Sequence, residues 1–201
     1  MVMKTANIAC SVIGTIFVSL AMAAHSAETM RFNQDPDAYN RSDASAVERM
    51  LISLSDGGRL QALHRLGLKY ENGEGVPQDD AQALKLYRQA ADLGYAPAQF
   101  SLGLMHMTGK ETVPQDHAEM LKWWLMAAHS GDTDAQLHLG LVYAWGEGVR
   151  RDDVTAYMWF SLAAARGARI AIKPRNNIAN RMTFEQVARA RDLVRAWRRT
   201  L

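Results

Sequence analysis

Soft metal ligands crowd one stretch of this 201-residue chain: Met105, His106, Met107, His117, Met120, Met126 and His129. Thioether and imidazole donors together suit copper(I). The spacing opposes such a site. Residues 105, 106 and 107 on a helix point about 100° apart and cannot converge on one ion, and methionine is an ordinary filler of irregular helical cores. No metal and no cofactor are expected. The pairs Asp79-Asp80 and Asp152-Asp153 offer acid–base chemistry. Each recurs at one place in a repeating pattern, however, where a helix cap explains it. Gly73-x-Gly75 and Gly146-x-Gly148 follow helices rather than strands, so they read as turns and not as phosphate cradles. The chain contains no Gly-x-Ser-x-Gly, no His-Glu-x-x-His and no Gly-x-x-x-x-Gly-Lys-Ser/Thr. No catalytic residue is predicted, and the chain is expected not to be an enzyme.

The elements that carry these residues repeat. Leu66-Gly67-x-x-Tyr70-x-x-Gly73-x-Gly75-Val76 returns as Leu139-Gly140-x-x-Tyr143-x-x-Gly146-x-Gly148-Val149, with a looser copy from Leu102-Gly103 to Val113. The helix-ending glycines Gly94, Gly131 and Gly167 step by 37 and then 36 residues. A period of this size means stacked supersecondary units, none of which buries its apolar face alone. Every periodic segment has helical spacing and none alternates, so the fold class is all-α: an α/α solenoid of antiparallel helix pairs.

Three repeats are expected, at residues 59–94, 95–131 and 132–167. In the first, helix A runs from about Leu60 to Asn72, with Ala62, Leu66 and Tyr70 on one face, and small Ala62 and Gly67 admit a close neighbour. Pro77 stops the helix. Helix B starts at Asp79, a capping carboxylate with Gln82 three residues on; Asp116 with Glu119 repeats the arrangement, and Asp152 keeps the cap with Thr155 as partner. Along helix B, Ala83, Leu86, Tyr87, Ala90 and Ala91 form a stripe. It recurs as Met120, Trp123, Trp124, Ala127 and Ala128, then as Ala156, Trp159, Phe160, Ala163 and Ala164. These aromatics are read as core. Residues 43–58 look like a lone B helix capping the first repeat, ended by Gly58, and residues 28–42 like an exposed tail. Residues 168–201 form C-terminal capping helices, the last opened by Thr183 and Gln186 with Met182 stapled onto Val187.

The ends and the charge bound the setting. Lys4, an apolar run from Ile8 to Ala24 and the small-residue stretch up to Ala27 make the pattern of a cleaved signal peptide over residues 1–27. The alternative is an uncleaved inner-membrane anchor. The expected location is periplasmic or secreted, and beyond Cys10 the chain has no cysteine. From Ala168 to Leu201 nine Lys and Arg face Glu185 and Asp192. The whole chain carries a formal charge of only +2, so nucleic acid is not expected as a partner; membrane-surface contact through the basic C-terminal helix remains open.

The run Ala-x-x-x-Leu-Gly-x-x-Tyr-x-x-Gly-x-Gly-Val, followed by Asp, Ala, a paired aromatic and Ala-Ala-x-x-Gly, resembles the Sel1-like repeat, a relative of the tetratricopeptide repeat. The likeness covers residues 59–167. Repeat two departs from it, with His106 in place of the tyrosine and one extra residue in Gly109–Val113. The closing Met182-Thr183-x-x-Gln186 helix resembles the cap of exported bacterial members. The resemblance implies a scaffold or adaptor for a protein partner, an envelope protein or sensor domain. A cysteine-rich branch is linked to binding or hydrolysing β-lactams, which is the alternative; it depends on disulfides that the mature chain lacks. A partner is expected on the concave face lined by A helices, at positions that vary between repeats: Gln61, Arg65, Lys69, Ser101, Met105, Asp134, His138 and Val142.

Overall fold

The computed structural model describes residues 56–110 and 112–199. The expected signal peptide, the tail and residues 43–55 of the expected N-terminal cap lie outside them. Two compact units divide the chain, residues 1–62 and 63–201. Of the first, the described residues 56–62 form the opening of helix α1 (Asp56–Asn72), which continues into the second. Gly58 lies inside α1 and is not left-handed, so it ends no helix.

The aspartates begin helices as their chemistry demands. Asp79 caps α2 (Asp80–Asp92) by accepting from the Gln82 amide. Asp116 caps α4 (His117–His129) and Asp152 caps α6 (Asp153–Ala165), each accepting from two amides. The reciprocal half of the expected box is absent in α4: Glu119 instead accepts from Lys122 and from the Trp123 indole. In α6 the Thr155 hydroxyl donates to Asp152 at 2.7 Å. The A helices are α1, α3 (Ala96–Thr108) and α5 (Thr133–Trp145). After a 3-10 turn, Arg169–Ala171, come α7 (Ile172–Ala179) and α8 (Phe184–Arg198). The capping box at Thr183 and Gln186 is complete in both directions. Among the described residues no strand occurs and all eight helices are α.

Glycines do two separate jobs. Gly73, Gly75, Gly94, Gly131, Gly146, Gly148 and Gly167 all have positive φ. Gly67, Gly103 and Gly140, by contrast, are helical, and the ring of Tyr87, Trp124 or Phe160 lies where each Cβ would be. The Leu-Gly pair of each A helix is therefore the socket for the large aromatic of its own B helix. Within repeats α3 packs on α4 and α5 on α6; between repeats α2 meets α3 and α4 meets α5. Both α7 and α8 close the stack against α6.

Each A–B loop closes on the same bond. The amides of Asp79, Asp116 and Asp152 donate to the carbonyls of Tyr70, His106 and Tyr143, all at 2.9 Å. Because the backbone makes this bond, His106 substitutes for tyrosine without altering the closure. Repeat two absorbs its extra residue in a small bridge between Lys110 and Val113, with Val113 buried.

Candidate interaction site

A row of side chains crosses from one A helix to the next. In each step, the residue two before the repeat's leucine meets the residue one before the next leucine. His64 Nε2 lies 3.0 Å from Ser101 Oγ, and its ring packs against Tyr87 and Tyr95. Burial, then the charge of Arg65, pulls His64 down to a pKa of about 4. One layer on, the Phe100 and His138 rings meet edge to face at 5.0 Å, and Trp124 touches both. His138 Nδ1 sits 2.8 Å from the Asp134 carbonyl oxygen. A carbonyl only accepts, so Nδ1 carries a hydrogen and donates it.

The expected partner-binding residues separate into two groups. Gln61 and Asp134 are exposed, while Arg65 and His138 are half-buried. Exposure fails for the other four: Lys69 is 6%, Ser101 8%, Met105 1% and Val142 2% accessible. The reason is geometric. Met105 and Val142 stand three residues beyond Leu102 and Leu139, hence on the same helix face, and Lys69 is their equivalent in the first repeat. Ser101 lies under His64. A stacked helix contacts a layer on each flank, so its buried stripe is wider than that of a surface helix.

Two polar links between repeats escape a reading of apolar periodicity. Gln99 and Gln136 are buried, and each donates through Nε2 at 3.0 Å to the carbonyl of Ala91 or Ala128 in the preceding B helix. Their sequence signal is the recurring Ala-Gln at 98–99 and 135–136. The first residue of each B helix makes the second link, to the loop one layer on. Asp80 pairs with Lys110 at 3.4 Å, the His117 ring fills the space beside Gly148, and Asp153 takes both Arg181 contacts at 2.7 Å. The Arg181 bond, reinforced by Arg151, holds the Asp153 carboxyl below the usual carboxylate range. The paired acids therefore divide their work: the first caps, the second ties layers.

The soft-ligand stretch is dispersed through the packing. Met105 and Met120 are core residues, Met126 is exposed, and His129 meets Trp197 edge to face. Among the described residues no group of three or more His, Cys, Asp or Glu is placed to hold a metal ion. No described helix is long and apolar enough to cross a membrane.

Comparison with known proteins decides the family. The Sel1 repeat matches residues 60–95, 96–132 and 133–167. This chain belongs to the Sel1 repeat family. A Sel1 repeat protein from Oxalobacter formigenes is similar in structure at 37% identity and a TM-score of 0.55, over 63% of this chain and 95% of that one. A protective antigen present in uropathogenic Escherichia coli strains, displaying an SLR fold, aligns over 74% of this chain and 47% of its own at 20% identity. Its TM-score of 0.38 is too low to bear on function. No curated protein matches the chain. Sel1 repeats generally mediate protein–protein interaction, and proteins built from them are typically non-catalytic scaffolds.

Proposed function

We propose that this Sel1 repeat protein is a non-catalytic adaptor of the bacterial cell envelope that binds a protein partner along its A-helix row. The observation that carries the reading is where the large side chains go. Tyr87, Trp124 and Phe160 are consumed in their glycine sockets, so the B-helix aromatics offer nothing to a ligand. On the A side, Phe100, Asp134 and His138 keep solvent-facing surface and present a ring, a carboxylate and an imidazole together. That mixture suits a peptide or helix laid across the repeats.

The signal-like pattern over residues 1–27 supports the envelope setting, and cleavage there should remove about 26 or 27 residues; mass spectrometry of protein from the native cells tests it, and an intact N-terminus would favour an anchor. Partner capture from envelope extracts tests the face. Asp134→Arg should reduce capture while far-ultraviolet helicity is unchanged, because exposed substitutions shift stability by only about 0.5 kcal/mol; His138→Ala should reduce it as well, with its melting temperature measured alongside because His138 packs on Phe100 and Trp124. Retained capture by both variants would move the site elsewhere. A chromogenic β-lactam should not be turned over, and turnover would revive the enzymatic alternative.

A further inference from the structure

We propose that the pocket between α6 and the C-terminal helices α7 and α8 binds an acidic peptide segment of a partner, seated on an apolar anchor side chain. The pocket is an open cleft of about 430 Å³, within the range of clefts that take a compact ligand. Its apolar surface comes from Ala164, Ala165, Ile172 and Val194. Beneath them Ser161 Oγ is buried, with no hydrogen-bond partner among the described residues.

The rim sets the charge. Arg191, Arg195 and Arg198 line it from α8, and Arg175 from α7. Positions 191, 195 and 198 share one helix face over roughly 10 Å. A lone phosphate or carboxylate occupies one or two guanidinium forks, whereas a row of this length matches several carboxylates strung along a chain. The protein neutralises little of it. Arg195 pairs with Asp192 and Arg175 donates to Asn176 Oδ1, while Arg191 and Arg198 have no acidic partner among the described residues. A flat anionic headgroup layer would reach only the rim; a peptide side chain also fills the cavity below it. The inference rests on the chain being a protein-binding module, but not on the A-helix row.

Fluorescence anisotropy with a labelled Glu-Glu-Leu-Glu-Glu peptide tests it on the purified protein. Binding should weaken with added salt and fall at least about tenfold, or about 1.4 kcal/mol, in the double variant R191E/R198E. Ala165→Glu, which sets a carboxylate against the arginines and leaves them intact, should do the same. Asp134→Arg should leave peptide binding unchanged, which separates this pocket from the A-helix site. Equal binding of a Gln-Gln-Leu-Gln-Gln peptide or of a serine-for-leucine peptide, or no effect of either pocket variant, would overturn the proposal. So would binding to phosphatidylglycerol vesicles without binding to the peptide.

Discussion

At the scale of single residues, the sharpest contrast is between glycines that look alike in sequence. Gly103 is helical, and alanine there has the better helix propensity by roughly 1 kcal/mol. The Trp124 indole already occupies the Cβ position, so overpacking of about 1–3 kcal/mol should win. Gly57 is also helical, and no atom of the described residues lies within 4 Å of where its Cβ would be. Gly57→Ala should stabilise by about 0.5–1 kcal/mol and Gly103→Ala should destabilise, as urea midpoints of the two variants will report. His64 supplies a pH prediction. Its folded pKa is about 4 against the ordinary 6.5 of a solvated imidazole in the unfolded chain, so the unfolded chain binds the extra proton between those values. Folding stability attributable to His64 is full above pH 6.5, declines as pH falls to about 4, and is flat below. His64→Phe, the residue found at the equivalent Phe100, should flatten that part of the stability profile. An unchanged slope would show that His64 is not held neutral.

At the scale of elements, helix ends were largely legible because caps are local. Asp79, Asp116, Asp152 and Thr183 all start helices through their own side chains, and the residues that make each bond lie within three positions. Gly94 and Gly167 end the first and third B helices at φ of 85° and 102°, with open space around a Cβ. Valine at either site therefore meets backbone strain alone, about 1–2 kcal/mol, and thermal melts should fall for both variants. Unchanged melts would show that those turns relax freely. What spacing could not reveal is the second flank of a stacked helix. Lys69, Met105 and Val142 read as variable and outward, yet they are buried, since variation within a core position looks the same as variation on a surface. The links Gln99–Ala91 and Arg181–Asp153 were illegible for another reason. The first needs the register between repeats, and the second joins residues 28 apart through a loop of the C-terminal cap.

At the scale of the whole molecule, stability of a stack is a sum of units and their nearest-neighbour interfaces, and the ties found between layers are few and specific. Arg181 grips Asp153 with two 2.7 Å contacts and anchors the turn before α8. Arg181→Ala should cost roughly 1 kcal/mol and raise amide exchange in α7 and α8 more than in α3 and α4. Uniform exchange changes would contradict a layer-by-layer stack. The proposed function also belongs to this scale, because the A-helix row exists only where successive repeats meet: Phe100 from one and His138 from the next. The most direct measurement is therefore site-specific photocrosslinking in the native cells, with the reactive residue placed at His138 or, on α2, at exposed Lys85. A discrete adduct from position 138, lost in an Asp134→Arg background and absent from position 85, is the predicted result. Adducts from position 85, or from Arg195 on α8, with none from position 138 would contradict binding along the A helices.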